Sequence, residues 1–325
     1  MGKKGKRSNK AAGGGDKGKV SAGRARRERI AAMKEIETSI EALAKKFEEE
    51  LKDVDVFCPL AAREDCAICF LPMPSDDRCI AYGSCCGKSV CHGCMVSHVR
   101  AIHGQDDASI SVSCPFCRAA HIDEFHKDKP LPNVSHIERL RSRAEKINDP
   151  EAMMHLAKSY EYGEDGLEKD DVTSFRLALK AAEAGEVKAI RHLAQDCYSG
   201  KRIKKNMHCA RKLSTAAAKQ GDHMSHYLLG KSYLSEREEK LANGEDKNPK
   251  SILMARHLAH AARGGNQYAM KTYQRLRDDG VVQEKECDEV EHAFLKSKTL
   301  EWSEQREYAE SLCSRLDAII ARTHT

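Results

Sequence analysis

Eight cysteines in four close pairs are the residues of this sequence best suited to chemistry, and the chemistry they suit is metal binding. They lie within residues 66–117 and read Cys66-x2-Cys69, Cys85-Cys86, Cys91-x2-Cys94 and Cys114-x2-Cys117. A C-x2-C pair presents two thiolates from one tight turn, which is the geometry that tetrahedral Zn²⁺ accepts from neighbouring residues. Eight thiolates complete two such sites with no open position for a catalytic water. The spacing therefore predicts two structural zinc ions.

The sequence context favours reduced thiols over disulfides. The first residues, MGKKGKRSNK, contain no apolar segment, so no secretory signal is predicted. No run of about 18 apolar residues is present, so no membrane span is predicted either. We therefore expect a cytoplasmic or nuclear protein that is not secreted, in which thiols stay reduced and bind metal. The four cysteines outside the 58–117 region have no metal-ligand spacing and are expected to be ordinary packed residues: Cys197, Cys209, Cys287 and Cys313.

The spacing of the pairs and the residues between them resemble a RING finger. In that family the pairs interleave, so that the first and third hold one zinc ion and the second and fourth hold the other. The resemblance implies a first site of Cys66, Cys69, Cys91 and Cys94, and a second site of Cys85, Cys86, Cys114 and Cys117.

The second pair departs from the usual RING pattern. Most members have Cys-x-His here, and Lys88 occupies the histidine position in this sequence. An all-cysteine variant with four residues before the fifth ligand occurs in the family, and Cys86 matches that spacing. Adjacent cysteines bind one metal only with backbone strain, so another residue could take the place of Cys85 as the fourth ligand. The possible substitutes are Cys79, His92 and His98; otherwise the cysteine is a packed thiol and the histidines are solvated helix residues.

Three residues beside the ligands match positions with which RING domains recruit a ubiquitin-conjugating enzyme. Ile68 lies inside the first pair, Pro115 lies inside the last pair, and Arg118 follows the final ligand. In the family the basic residue contacts both the conjugating enzyme and its bound ubiquitin. The resemblance implies a ubiquitin-protein ligase that orients the partner's thioester and has no nucleophile of its own. Alternatively, the first two residues only shape the turns and the arginine is a solvated charge.

An internal repeat follows the cysteines. The strings AAEAG, AAKQG and AARGG recur at 181–185, 217–221 and 261–265, each preceded by a pattern of two helices. A repeat of about 35–45 residues with two helices indicates an α-solenoid, because one helix pair cannot bury its apolar face alone. The charged stretch 235–250 lengthens one interval and predicts an exposed loop.

These repeats resemble SEL-one-like repeats, relatives of the tetratricopeptide repeat whose units end in A-A-x-x-G-[DN]. Asp149 and Pro150 suit the N-cap and first position of the first helix. The resemblance covers about 149–270 and implies a surface for a protein partner or substrate. Three tyrosines at helical spacing are interpreted as solenoid core: Tyr160, Tyr198 and Tyr233.

The sequence is thus divided into six segments. They are a disordered basic tail at 1–24, an amphipathic helix at 25–55, a RING-type zinc finger at 56–120, a linker and helix at 121–148, the repeat solenoid at 149–280, and capping helices at 281–325. We expect the amphipathic helix to pair with itself as a coiled coil or to lie against the RING domain.

The predicted fold is mostly α, with a small zinc-bound RING finger joined to an α-solenoid of helix pairs. No nucleophile–base motif or phosphate-binding glycine loop is present, so no catalytic residue is predicted. Lysine and arginine within the first 30 residues account for the whole net charge of +5, so the rest of the chain is close to neutral or acidic. This charge distribution argues against nucleic acid as the main ligand. The favoured hypothesis is a RING-type ubiquitin ligase whose repeats bind a protein partner. The alternative is a non-catalytic zinc-binding scaffold.

Overall fold

The computed structural model describes residues 15–103, 113–119, 134–242 and 251–311 of the chain. Predictions for residues 1–14, for the stretch 243–250 and for Cys313 lie outside the described residues. The described part is mostly helical, as predicted. Its helices are α1 (Gly15–Glu50), α2 (His92–His103), α3 (Val134–Ser142), α4 (Pro150–Tyr162), α5 (Asp171–Glu183), α6 (Val187–Ser199), α7 (Met207–Lys219), α8 (His223–Ala242), α9 (Ser251–Arg263), α10 (Gln267–Asp278) and α11 (Glu284–Glu301), and residues 304–311 are also helical.

Helices α4 to α11 form an α-solenoid in which each helix packs against the next. The recurring sequence strings occupy equivalent places in it. Gly185, Gly221 and Gly265 follow α5, α7 and α9, with φ angles of 91°, 86° and 90°. Glycine adopts this left-handed conformation without the clash that a side chain would cause, so it ends each second helix. The next helix then begins at once, and Asn266, for example, accepts a hydrogen bond from the backbone N–H of Ala269 at 2.8 Å.

The solenoid core consists of leucine, alanine and aromatic side chains on facing helices. Phe175, Leu193, Leu213 and Leu258 are completely buried. Alanines at the contacts let the helices approach closely while the larger side chains fill the space between them. The tyrosines predicted as core are partly buried against it.

The amphipathic helix α1 packs on the solenoid. Its apolar stripe is buried in the same core as α5 and α7, and it includes Ile36, Ile40, Leu43 and Phe47. The two predicted placements, a coiled coil and packing against the RING domain, are therefore corrected, because the solenoid helices α5 and α7 cover the stripe. The helix also begins at Gly15, inside the predicted tail, since lysine, alanine and arginine extend an existing helix at little cost.

Helix α8 corrects the predicted loop at 235–250. The helix continues to Ala242, so the first part of that stretch is helical. Its glutamate, arginine and lysine residues are good helix formers. Glu236 pairs with Arg211 of α7 across 2.7 Å, which fixes this turn against the neighbouring helix.

The cysteine-rich segment contains a small hairpin followed by α2. Strands β1 (Ile80–Gly83) and β2 (Lys88–Cys91) are antiparallel, with Ile80 opposite Cys91. The cysteines themselves make up much of the local core, together with Met73 and Val90. So few apolar residues form a weak core, to which a bound metal ion would add stability.

None of the described helices combines the length and the apolar character needed to cross a membrane.

Candidate metal centres

The first cysteine group joins the turn before β1 to the start of α2. Cys66 and Cys69 lie on one turn, while Cys91 ends β2 and Cys94 lies in the first turn of α2. The four sulfur atoms lie within 4.8 Å of one another. The Sγ–Sγ distances are 3.8 Å between Cys66 and Cys94 and 3.9 Å between Cys69 and Cys91.

The second group joins the tip of the hairpin to a second turn. Cys85 and Cys86 lie between β1 and β2, and their partners are Cys114 and Cys117. The Sγ–Sγ distance between Cys86 and Cys114 is 3.8 Å. The structure thus brings together the same two sets of four that interleaved pairing predicts. That all eight act as zinc ligands stays a prediction.

The C-x2-C turns at 66–69 and 114–117 have similar backbone conformations. In the first, the N–H of Phe70 donates to the carbonyl of Cys66, and in the second, the N–H of Arg118 donates to the carbonyl of Cys114. Phe70 and Arg118 both have positive φ angles, of 56° and 57°. A left-handed residue directly after the second cysteine turns the chain back, so that both thiols point to one place.

The donor set and its geometry fit a tetrahedral zinc ion. Sulfur atoms about 2.3 Å from a tetrahedral zinc lie about 3.8 Å from one another. The measured Sγ–Sγ distances of 3.8 and 3.9 Å match this edge length. They are far longer than a disulfide bond of about 2.05 Å. Each group can therefore hold a metal ion, and four thiolate donors favour zinc.

Backbone N–H groups in the turns stabilise thiolates before any metal binds. Burial alone would raise the pKa of Cys66, but the N–H groups of Cys69, Cys91 and Ile68 outweigh it and lower the pKa to about 6. Burial opposes the same effect at Cys114, where the N–H groups of Cys117 and Phe116 lower the pKa to about 7. One thiol in each group is therefore prepared for metal binding at neutral pH.

The possible substitutes for Cys85 lie outside both groups among the described residues. Nε2 of His98 is 2.7 Å from the carbonyl oxygen of Ser113, which links α2 to the second turn. His92 is half-buried, and burial lowers its pKa. Cys79 and His92 line a small cleft beside the first group. Of the cysteines predicted to be packed residues, Cys197, Cys209 and Cys287 are buried.

The residues predicted to contact a conjugating enzyme lie on or next to the turns at 66–69 and 114–117. Ile68 is 37% exposed and Arg118 is exposed, while Pro115 is half-buried. Phe70 and Phe116, next to them in sequence, are 76% and 36% exposed. These turns therefore present apolar side chains and one arginine to solvent.

Ion pairs that the sequence patterns did not reveal dock the cysteine-rich segment on the solenoid. Asp77 pairs with Arg191 of α6. Tyr82 of β1 donates a hydrogen bond to the carboxylate of Asp149 at 2.7 Å, and Arg143 binds the same oxygen at 2.6 Å. Asp149 therefore caps α4 and holds the hairpin at the same time.

The solenoid's far end holds the same segment through α11. The hydroxyl of Ser75 donates to the carbonyl of Gly265 at 3.1 Å and accepts from Nζ of Lys298 at 2.8 Å. Arg63 pairs with Glu301. Beyond α11, the buried Arg306 donates to the carbonyl of Pro72 at 2.7 Å and contacts Sγ of Cys69 at 3.4 Å. No sequence motif marks these contacts, because their partners are more than a hundred residues apart.

Solved structures of helical-repeat proteins are similar to this chain. One is a Sel1 repeat protein from Oxalobacter formigenes, at 28% identity over 43% of this chain and 97% of that chain, with a TM-score of 0.35. Another is c5321, a protective antigen of uropathogenic Escherichia coli strains displaying an SLR fold, at 16% identity over 55% of this chain and 44% of that chain, with a TM-score of 0.29. No protein-family model and no curated protein matches the sequence.

The described elements define the class of molecule. It is a helical-repeat protein that carries, docked on its solenoid, two groups of four cysteines able to hold metal ions.

Proposed function

We propose that this protein is a RING-type ubiquitin-protein ligase that binds two zinc ions and uses its helical repeats to hold a protein partner or substrate. The observation that carries the proposal is the pair of interleaved four-cysteine groups, in each of which the four sulfur atoms lie within 4.8 Å of one another. Interleaving of this kind ties the two metal-binding turns into one rigid body. A rigid body is what a protein needs if it is to orient another enzyme without taking part in the chemistry.

The conjugating enzyme would bind across the two turns. Ile68, 37% exposed, offers an apolar contact on the first turn. Arg118 lies at the end of the second turn. Its backbone is fixed there by a hydrogen bond of 3.0 Å from its N–H to the carbonyl of Cys114. A guanidinium held in this way can donate to carbonyl or carboxylate groups of both the conjugating enzyme and its ubiquitin. Its role would be to hold the thioester in a reactive orientation, while the partner's cysteine carries the ubiquitin.

The docking of the cysteine-rich segment gives the solenoid a role in this reaction. Asp77, Tyr82 and Ser75 bind to different parts of the solenoid. A partner bound to the solenoid would therefore stay at a fixed distance from the thioester. Fixed geometry raises the effective concentration of the substrate's lysine at the reacting carbon.

Ubiquitin discharge from a panel of charged conjugating enzymes tests the proposal. Wild-type protein should accelerate discharge of at least one of them. Ile68→Ala should weaken recruitment, while Arg118→Ala should slow discharge and leave recruitment largely intact. The matched controls are Ile252→Ala, at an isoleucine on α9 that is 75% exposed, and Arg277→Ala, at a surface arginine that pairs with Asp278. Both controls should behave as wild type.

The assay also separates the ligase from the second candidate, a non-catalytic zinc-binding scaffold. The observation that favours the scaffold is the extensive ion pairing between the cysteine-rich segment and the solenoid, which suits a rigid interaction module. A scaffold would show no discharge with any conjugating enzyme, and neither Ile68→Ala nor Arg118→Ala would change it. Zinc content must be measured in every variant, because loss of metal would imitate loss of recruitment.

A further inference from the structure

Arg306 is a buried cation placed against the first cysteine group by a distant part of the chain. The residue is 5% exposed and lies in the helical segment 304–311, beyond the last solenoid helix. One terminal nitrogen of its guanidinium, Nη2, is 3.4 Å from Sγ of Cys69 and 3.3 Å from the carbonyl of Leu71. The other, Nη1, donates to the carbonyls of Pro72 and Glu301 at 2.7 and 2.8 Å. The guanidinium is therefore fixed between the first metal-binding turn and the end of α11.

The electrostatics of the first group explain why a cation belongs there. Four thiolates around one Zn²⁺ carry a net double negative charge. In this group Cys66, Cys91 and Cys94 are buried, so water screens that charge poorly. Buried charge is tolerated when an opposite charge and hydrogen bonds compensate it. The second group differs, because Cys117 is exposed and Cys85 and Cys86 are only half-buried.

Arg306 itself also needs an anion. Its Nε atom is buried and finds no hydrogen-bond acceptor among the described residues. An arginine taken out of water with an unpaired N–H and no carboxylate on its guanidinium would be destabilising. The thiolates of an occupied metal site supply the missing negative charge beside it.

Gly93 shows how closely the segment that carries Arg306 packs against α2. It precedes Cys94 in the first turn of α2 and does not have a positive φ angle, so backbone conformation alone does not require glycine. A Cβ atom on this residue would lie 2.7 Å from the backbone N of Arg306 and 2.8 Å from its Cγ. Glycine is thus needed here to admit the segment that carries the arginine.

We propose that Arg306 is the counter-ion of the first cysteine group, and that the segment 304–311 thereby makes metal retention in the cysteine-rich segment depend on the far end of the solenoid. The inference rests on metal binding by this group, which is part of the proposed function. It assigns Arg306 a positioning role: the guanidinium acts on the metal through the charge of the cysteine ligands. Replacement of such neighbouring groups typically lowers metal affinity about 10–100-fold.

The test measures zinc release from the purified, zinc-loaded full chain into excess chromogenic chelator. Arg306→Gln removes the charge, and Arg306→Lys keeps a charge with poorer geometry. Arg100→Gln is the matched control, since this exposed arginine on α2 stacks on Tyr308 of the same segment at 4.5 Å and makes no described contact with a thiol. Mass spectrometry of alkylated cysteines then shows which group has opened.

We expect Arg306→Gln to release zinc from the first group about 10–100-fold faster, with the second group unchanged and Arg306→Lys intermediate. Gly93→Ala, which displaces the segment without changing a charge, should give the same selective loss. Two zinc ions in the wild type with unchanged release from Arg306→Gln would overturn the counter-ion role alone. Equal acceleration of both groups in Arg306→Gln and Gly93→Ala would also overturn it, because it would mean general loss of structure. A wild type without metal in the first group would refute the zinc assignment as well.

Discussion

The carboxylate of Asp77, in the cysteine-rich segment, is ion-paired with the guanidinium of Arg191 in α6. The same guanidinium binds the carboxylate of Asp222 at the start of α8, with 2.5 Å between nitrogen and oxygen. Burial alone would lower the pKa of Arg191, but the two carboxylates outweigh it and raise the pKa, so the residue stays charged. One arginine therefore connects two successive repeats to the segment docked on them.

Removal of this charge should loosen the docking. In Arg191→Met the two carboxylates lose their partner, and breaking a buried ion pair in this way costs about 3–5 kcal/mol. We expect a loss near the lower end, because the Asp77 side chain is 34% exposed and water can solvate it. Urea denaturation measures the free energy of unfolding. The control, Arg277→Met at a surface pair, should leave it essentially unchanged. An Arg191→Met loss as small as the control's would contradict the role given to this pair.

The features predictable from sequence are those whose partners lie close together in the chain. Cys66 and Cys69 are three residues apart in one turn, and each repeat is one continuous stretch of sequence. Asp77 and Arg191 are 114 residues apart, and Cys69 and Arg306 are 237 apart. A single charged residue carries no sign of a partner at that distance. The cysteine turns and the repeats are therefore evident in the sequence, whereas the contacts that join them are not.

Helices α1 and α8 show two other limits of the sequence patterns. An apolar stripe such as that of α1 indicates that something covers it, but not what covers it. The interior of the solenoid supplied the cover, through residues such as Cys209, whose thiol lies 3.9 Å from the carbonyl of Ile40. In α8 the charged residues from Ser235 onward suit both a solvated loop and a helix. Packing against the neighbouring helices, including the contact between Glu236 and Arg211, favours the helix.

Leu193 provides a test of the solenoid core. The side chain is completely buried in α6. Leu193→Ala should lower the free energy of unfolding by about 2–5 kcal/mol, because it removes apolar contacts and leaves a cavity. The same substitution at Leu295, which is 56% exposed on α11, should change it by no more than about 0.5 kcal/mol. Thermal or urea unfolding followed by circular dichroism distinguishes the two. Equal losses would mean that Leu193 does not face the solenoid core.

A buried histidine cluster should make the protein sensitive to acid. Nδ1 of His226 lies 3.0 Å from Nδ1 of His257, and this hydrogen bond needs at least one neutral ring. Burial, reinforced by His260, lowers the pKa of His226 to about 2 and that of His257 to about 3. The ring of Phe57 packs against all three histidines, and the guanidinium of Arg256 stacks on the same ring, 4.0 Å from its centroid. The cluster thus holds the connection between α1 and the cysteine-rich segment.

The sign of the pH effect follows from these lowered pKa values. The unfolded chain binds protons on these histidines below about pH 6.5, whereas the folded chain does not, so stability is lost as the pH falls. Each histidine should cost about 1.4 kcal/mol per pH unit below about pH 6. Urea denaturation at pH 7.5 and 5.5 should show this loss, and His257→Phe should reduce it. Leu295→Ala, at an exposed leucine of α11, should leave the slope unchanged. A wild type equally stable at both pH values would refute the prediction.

Chelation of the metal should unfold the cysteine-rich segment and leave the solenoid helical. The local core of that segment is built from Cys66, Cys91 and Cys94 themselves, while the solenoid has separate apolar cores. A bound metal ion would therefore supply much of the segment's folding free energy. Hydrogen exchange after chelation should show lost protection at 80–103 and retained protection at 171–219. Zinc added back should restore it. Simultaneous loss of protection in both regions would show that the solenoid depends on the metal-bound segment.

Substitution of Cys85 tests the least regular part of the predicted ligand set. Its sulfur lies within 4.8 Å of those of Cys86, Cys114 and Cys117. Burial and the neighbouring thiols of Cys117 and Cys114 raise its pKa, so only a bound cation would keep this fourth thiol ionised at neutral pH. Cys85→Ser should therefore lose one zinc ion by elemental analysis, as Cys86→Ser should, while His98→Asn keeps both. If Cys85→Ser retains both ions and Cys79→Ser or His92→Asn loses one, the fourth ligand of the second site has been misassigned.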